Sequence, residues 1–113
     1  MTPPPPGAYI IATSPLNLDN TPPPYNGKTL SFLEGAFPAV IQLTGEVIGI
    51  TGTTNTWTAT NSSGTTATIG TGLSVSWSIP TSDLYTVTMT STVSGGRVVG
   101  TATMFADVAL RPR

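Results

Sequence analysis

The stretch Leu73-Ser74-Val75-Ser76-Trp77-Ser78-Ile79 decides the fold class. Its apolar residues alternate strictly with serine, so an extended chain would have one apolar and one polar face. Residues 85–93 repeat this period of two, with Tyr85, Val87, Met89 and Val93 expected on the inner face and threonines on the outer face. Alternation with one polar face is typical of a half-buried antiparallel sheet.

Short apolar segments separated by turn residues continue in both directions. Further strands are expected at residues 28–33, 38–43, 47–51, 54–60, 66–69 and 98–110, the last with a break near Ala106. No segment has a helical period, and the glycine, threonine and proline content disfavours helices. The sequence therefore predicts an all-β antiparallel sandwich over residues 27–113. Its predicted core contains Trp57, Val75, Trp77, Val87 and Met89.

The amino-terminal segment has a different composition. Eight of the eleven prolines lie within the first 24 residues. Proline fixes φ and donates no backbone hydrogen bond, which favours an extended polyproline conformation. Residues 1–26 are therefore predicted to form an extended arm outside the core, the alternative being a disordered tail. Removing residues 1–24 should then leave a folded sandwich. The candidate partner-binding residues are the apolar side chains of this arm, namely Tyr9, Ile10, Ile11, Leu16, Leu18 and Tyr25.

Charge and residue usage exclude several classes of function. Charged residues make up 8% of the chain, against about 25% in ordinary soluble domains. No cationic cluster is present, so nucleic-acid binding is not expected. The chain has no Cys or His, and its carboxylates are scattered, so no metal or other cofactor is predicted. The first residues lack the pattern of a secretory signal, and no apolar run is long enough for a membrane helix.

Catalysis is not expected either. A nucleophilic Ser or Thr needs a neighbouring base, and without histidine Lys28 is the only amine side chain. Trp57 and Trp77 could stack on a sugar, but their positions in phase with the apolar face favour the core. The chain is therefore predicted not to be an enzyme.

Four segments carry a resemblance to a known family: residues 57–64, 73–77, 85–90 and the final Asp107-Val108. Together they resemble the PKD-like branch of immunoglobulin-like domains. The resemblance implies an immunoglobulin-like sandwich. The turn Asn61-Ser62-Ser63-Gly64 lacks the carboxylate common in that family, and Asp83-Leu84 stands where a glycine is usual before Tyr85. These departures remove any inherited calcium site.

Modules of this type occur in bacteriophage structural proteins and on bacterial surfaces, so the resemblance implies assembly or adhesion. With the Pro-rich arm, small size and low charge, it suggests a virion structural protein, a decoration or cement protein on the capsid exterior. Its partners would be the major capsid protein or other virion subunits, and the same interpretation allows a homo-trimer. The alternative is an adhesive or carbohydrate-binding module of a fibre or cell surface. That alternative requires Trp57, Trp77 or Tyr25 side by side on the surface.

Overall fold

Two β-sheets packed face to face make up the computed structural model, which describes residues 5–15 and 17–110. No helix occurs in these residues, and the arrangement is compatible with a β-sandwich. One sheet has three strands in the order β1-β3-β6, and the other has five in the order β2-β8-β7-β4-β5. The strands are β1 (Gly7–Ser14), β2 (Thr29–Glu34), β3 (Ala39–Ile48), β4 (Thr54–Thr60), β5 (Thr66–Thr71), β6 (Ser74–Ile79), β7 (Asp83–Val93) and β8 (Arg97–Leu110).

The core lies between the sheets and follows the predicted alternation. The predicted core residues are all buried, namely Trp57, Val75, Trp77, Val87 and Met89. The register expected for β6 and β7 is therefore confirmed at these positions. Leu73, also expected inward, is 45% exposed, because β6 begins one residue later and Leu73 belongs to the turn that crosses between the sheets.

Three strand predictions are corrected. The segments 38–43 and 47–51 form one strand, β3, which continues through Gly45. A Cβ on Gly45 would lie 2.5 Å from the Met89 sulfur, so this glycine allows close packing within a strand and does not mark a turn. β8 has no break at Ala106, which is fully buried. β2 pairs with β8 in parallel, because the chain reaches β2 from the opposite sheet and not through a hairpin.

The amino-terminal segment belongs to the fold, which corrects the prediction of an arm outside the core. β1 pairs antiparallel with β3, and its Ala8 and Ile10 are buried in the common core. β1 also packs against β8, where a Cβ on Gly100 would lie 3.2 Å from the Ala8 Cβ. The prolines flank this strand and do not interrupt it, so Gly7–Ser14 is free to form a ladder.

Residues 17–28, called the edge segment below, connect β1 to β2 and cover the outer edges of both strands. The Asn26 side chain bonds the backbone of β1 twice, accepting from the Ile10 amide at 3.1 Å and donating to the Ala8 carbonyl at 3.0 Å. At β2, the Asp19 carboxylate accepts from the Ser31 amide at 3.1 Å, and the Leu18 amide donates to the Ser31 carbonyl at 2.8 Å. The edge segment therefore satisfies outward backbone groups of β1 at Ala8 and Ile10 and of β2 at Ser31.

Threonine covers the outer face of the five-stranded sheet. Four threonines of β4 lie directly opposite four of β7, in the pairs Thr54–Thr92, Thr56–Thr90, Thr58–Thr88 and Thr60–Thr86. Thr88 also contacts Thr103 of β8, with 3.3 Å between the hydroxyl oxygens. Such a face remains hydrated without charge, which is consistent with the low charge of the chain.

Candidate interaction surface

The structure distributes the predicted partner-binding residues over different places. Ile10 and Tyr25 lie in the core, with 0% and 3% of their surface exposed, so neither is free to contact a partner. Leu18 is 56% exposed but lies at the β2 edge. Leu16 lies outside the described residues. Tyr9 and Ile11 are the two that remain together on one surface.

An apolar cleft surrounds Tyr9 and Ile11 on the outer face of the three-stranded sheet. Tyr9 pairs with Glu46 of β3, while Ile11 sits at a β-bulge that leaves it without a directly opposite residue. Ile48 of β3 completes the floor, and Pro23 and Pro24 of the edge segment form a wall. The cleft has a volume of about 340 Å³, at the lower end of the range of ligand pockets. It is called the proline cleft below.

The chemistry of the proline cleft is that of a docking surface. Its lining is apolar except for the Glu46 carboxylate, and the Tyr9 hydroxyl donates to the Pro5 carbonyl at the rim. None of its lining residues is a nucleophile paired with a base. The cleft can accept an apolar side chain of a partner and place a cationic group beside Glu46.

Part of the proline cleft could be found from the sequence and part could not. The apolar residue types identified Tyr9 and Ile11. Glu46 and Ile48 were missed because β3 was divided at Gly45; continuing the alternation through this glycine would have placed both on one outer face. The contribution of Pro23 and Pro24 depends on how the edge segment folds back, for which the sequence has no local signal.

The large aromatic side chains do not form a platform for a sugar. The Trp57 indole is fully buried and donates to the Gly72 carbonyl at 2.8 Å. Trp77 and Tyr25 are 4% and 3% exposed. The rings named for a carbohydrate-binding module are therefore inside the fold, and stacking on a sugar needs an exposed ring face.

Acidic residues are dispersed over the described part of the chain. Within residues 5–15 and 17–110, no three Asp or Glu side chains are grouped as a metal site requires. Hydrogen bonds from Ser62 and from the Leu84 amide hold the pKa of Asp83 below its ordinary value, which reflects a turn contact at an exposed carboxylate. No helix in the described residues has the length and hydropathy to span a membrane.

Comparisons with known proteins add no identity to this geometry. No protein-family model matches the chain, and no curated protein or solved structure matches it.

Proposed function

We propose that this chain is a non-enzymatic structural protein of a virion, a decoration or cement protein that binds capsid subunits on the capsid exterior. The observation that carries the proposal is the proline cleft, an apolar surface built by the amino-terminal strand and the edge segment. Small size, low charge and the resemblance to immunoglobulin-like modules of bacteriophage structural proteins support the viral setting.

The proposed fold is an immunoglobulin-like, PKD-like sandwich. Two sheets with a shared core support it, as does Tyr85, whose hydroxyl donates to the Thr81 carbonyl at 2.8 Å. A buried tyrosine bonded to the backbone a few residues upstream is a feature of the tyrosine corner in such sandwiches. The parallel pairing of β2 with β8 differs from the purely antiparallel sandwich that the sequence predicts.

The proposed mode of attachment differs from that of a free arm. The strand Gly7–Ser14 is already paired within the fold, so it has a fixed shape before a partner arrives. A preformed surface loses less conformational entropy on binding than a flexible arm does. An apolar side chain of a capsid subunit would enter between Ile11 and Pro24, and a lysine or arginine beside it would meet Glu46.

An adhesive or carbohydrate-binding module remains the alternative function, and the structure favours it less. Its required aromatic platform is missing because Trp57, Trp77 and Tyr25 are buried. Tyr9 is the aromatic residue in the proline cleft, where a single ring could contact one sugar unit.

The test is co-sedimentation of the purified chain with empty capsids assembled from the major capsid protein encoded in the same genome. Ile11→Asp introduces a charge into the apolar floor and should weaken capsid binding by about tenfold or more, since burying an unpaired charge is unfavourable. The matched control is Val40→Asp, because Val40 is 53% exposed on the outer face of the same sheet and does not line the cleft.

The melting temperature of both variants should stay close to that of the wild type, so that binding and folding are separated. Equal binding by Ile11→Asp and the wild type would place the docking surface elsewhere. Failure of the wild-type chain to bind the capsid would overturn the proposed function.

A further inference from the structure

β5 and β6 are edge strands of different sheets, and the two sheets separate between them. This edge of the fold is opposite to the proline cleft. The strands are joined through Gly72, whose carbonyl accepts the Trp57 indole hydrogen bond. Near this turn they are in close contact, since a Cβ on Gly70 would lie 3.3 Å from Val75 Cγ1. Further along, a groove of about 320 Å³ opens between them, with Trp77 and Tyr85 in its lining. It is called the inter-sheet groove below.

Among the described residues, no strand lies beneath the inner face of β5 at Ala67. Ala67 of β5 lies directly opposite Ala59 of β4, so the two side chains share one face of the sheet. Ala59 is buried, whereas Ala67 is exposed. The five-stranded sheet therefore extends beyond the three-stranded sheet at β5, and no strand of residues 5–15 and 17–110 lies at the position beside β6 that would cover Ala67.

The edge of β6 that borders this position is also free. Within the described chain, no backbone hydrogen bond reaches β6 on the side away from β3. Proteins normally protect such edges with charged residues, proline or a covering segment. β1 and β2 have a cover in the edge segment, but Ser74–Ile79 and Thr66–Thr71 contain neither charge nor proline.

We propose that the inter-sheet groove receives an extended strand donated by another protein chain, which pairs with β6 and completes the smaller sheet as a fourth strand. The backbone of the donated strand would satisfy the free groups of β6, and alternate side chains would point at Trp77 and Ile69. The inference concerns a different edge from the proline cleft and does not depend on the proposed capsid function.

The lining of the groove specifies the chemistry of the donated strand. None of the side chains around the groove is charged, so a charged residue at an inward position would be buried without a partner. Ala59 and Ala67 leave room for side chains of the size of alanine or valine. The partner is therefore an uncharged segment of about six residues, the length of β6, with small apolar residues alternating with polar ones and no proline on the bonding side.

A second copy of this chain fits the position less well. In a two-fold dimer, β6 of one copy would pair with β6 of the other. The β5 strand of each copy overhangs its own β6, so the two β5 strands would both lie above the paired β6 strands and would collide there. The segment Pro3 to Pro6 of a second copy is also a poor donor, since prolines lack backbone N–H groups.

The experiment uses the 113-residue chain and the peptide acetyl-Thr-Val-Thr-Ala-Thr-Val-amide as a probe. Amide hydrogen exchange measured by NMR should slow specifically at those β6 amides that point away from β3, and the Trp77 indole resonance should shift. The same peptide with proline at alternate positions should cause neither change.

Two neighbouring substitutions on β5 provide the matched pair. Ala67→Lys directs a charge into the groove and should weaken peptide binding by about tenfold or more. Thr66→Lys should leave binding unchanged, because Thr66 points to the outer face opposite Thr60 and does not line the groove. Both positions are exposed, so both variants should keep the wild-type melting temperature.

No protection at β6 in the wild type, or equal binding by Ala67→Lys, would overturn the proposal. Concentration-dependent dimerisation of the wild type that Ala67→Lys abolishes would also overturn it, and would assign the groove to a second copy.

Discussion

The indole of Trp77 meets the ring of Tyr85 edge to face, with 5.1 Å between the ring centroids and 89° between the ring planes. Trp77 lies on β6 and Tyr85 on β7, so the contact joins the three-stranded sheet to the five-stranded sheet. Such pairs add stabilisation beyond the burial of their area. Both rings also line the inter-sheet groove. Loss of their packing would therefore expose the core between the two sheets to solvent.

Replacing Trp77 with alanine should lower the free energy of unfolding by ~3–5 kcal/mol, because it removes a buried aromatic side chain and leaves a cavity. Chemical denaturation measures the change. Leu84→Ala is a suitable control, since Leu84 is 50% exposed and its truncation should cost within about 0.5 kcal/mol. Similar losses for the two variants would mean that Trp77 is not packed as described.

The Ser91 hydroxyl donates a hydrogen bond of 2.6 Å to the Asn55 side-chain oxygen, and both residues are buried. Ser91→Ala should destabilise the fold by about 1–3 kcal/mol, because the buried Asn55 oxygen would lose its donor. The double variant Ser91→Ala, Asn55→Val should lose less free energy of unfolding than the sum of the two single variants. In the double variant both side chains are apolar, so neither leaves a buried polar group without a partner. Thermal or denaturant unfolding of all four proteins gives the coupling, and strict additivity would contradict a direct interaction.

Asp83 should make stability depend on pH in the acidic range. Its pKa is lowered from 3.8 by hydrogen bonds from Ser62 and from the Leu84 amide. A carboxylate with a lower pKa in the folded state stabilises the fold above its unfolded-state pKa, and this contribution is lost as the pH falls through the folded-state pKa. Asp83→Asn should therefore be less stable than the wild type near neutral pH, and the difference should shrink below 3.8. Melting curves across this range test the prediction, and a difference that does not change with pH would refute it.

The alternation of residue types was enough to predict the centre of the fold. β6 and β7 have a strict period of two, and burying Trp77 and Met89 fixes which face is inward. β1 was not predicted because prolines dominate the composition around it, and its partner β3 begins 25 residues after β1 ends (Ser14 to Ala39). The pairing of β2 with β8 also could not be predicted from the local alternation of residues, since it depends on the path of the edge segment.

The proline cleft too could be predicted only in part from the sequence. Neighbouring residues on a strand point to opposite faces, so the apolar run Tyr9-Ile10-Ile11 was divided between the surface and the core once it became β1. Residue type alone could select these residues but could not assign their faces. The inter-sheet groove arises from unequal sheet widths, a property of topology with no counterpart in any short segment.

The amino-terminal strand should be required for folding, in contrast to what the proline content suggested. Deleting residues 1–14 would remove β1 and uncover apolar core residues beside it, including Leu43 of β3, which pairs with Thr13 and is fully buried in the intact chain. The truncated chain should show no cooperative melting transition by circular dichroism. A cooperative transition close to that of the intact chain would show that β1 is dispensable and restore the view of this segment as an arm.

A single substitution tests the packing of β1 against β8 without shortening the chain. At Gly100 a Cβ would already lie 3.2 Å from both the Cβ and the backbone nitrogen of Ala8, so Gly100→Val should force β1 away from β8 and cost about 1–3 kcal/mol. Thr101→Val is the matched control, because Thr101 is the next residue on β8 and points outward. Hydrogen exchange should accelerate at the β1 amides in Gly100→Val and stay unchanged in Thr101→Val. Equal stability and equal exchange in the two variants would mean that β1 does not pack on β8 at this point.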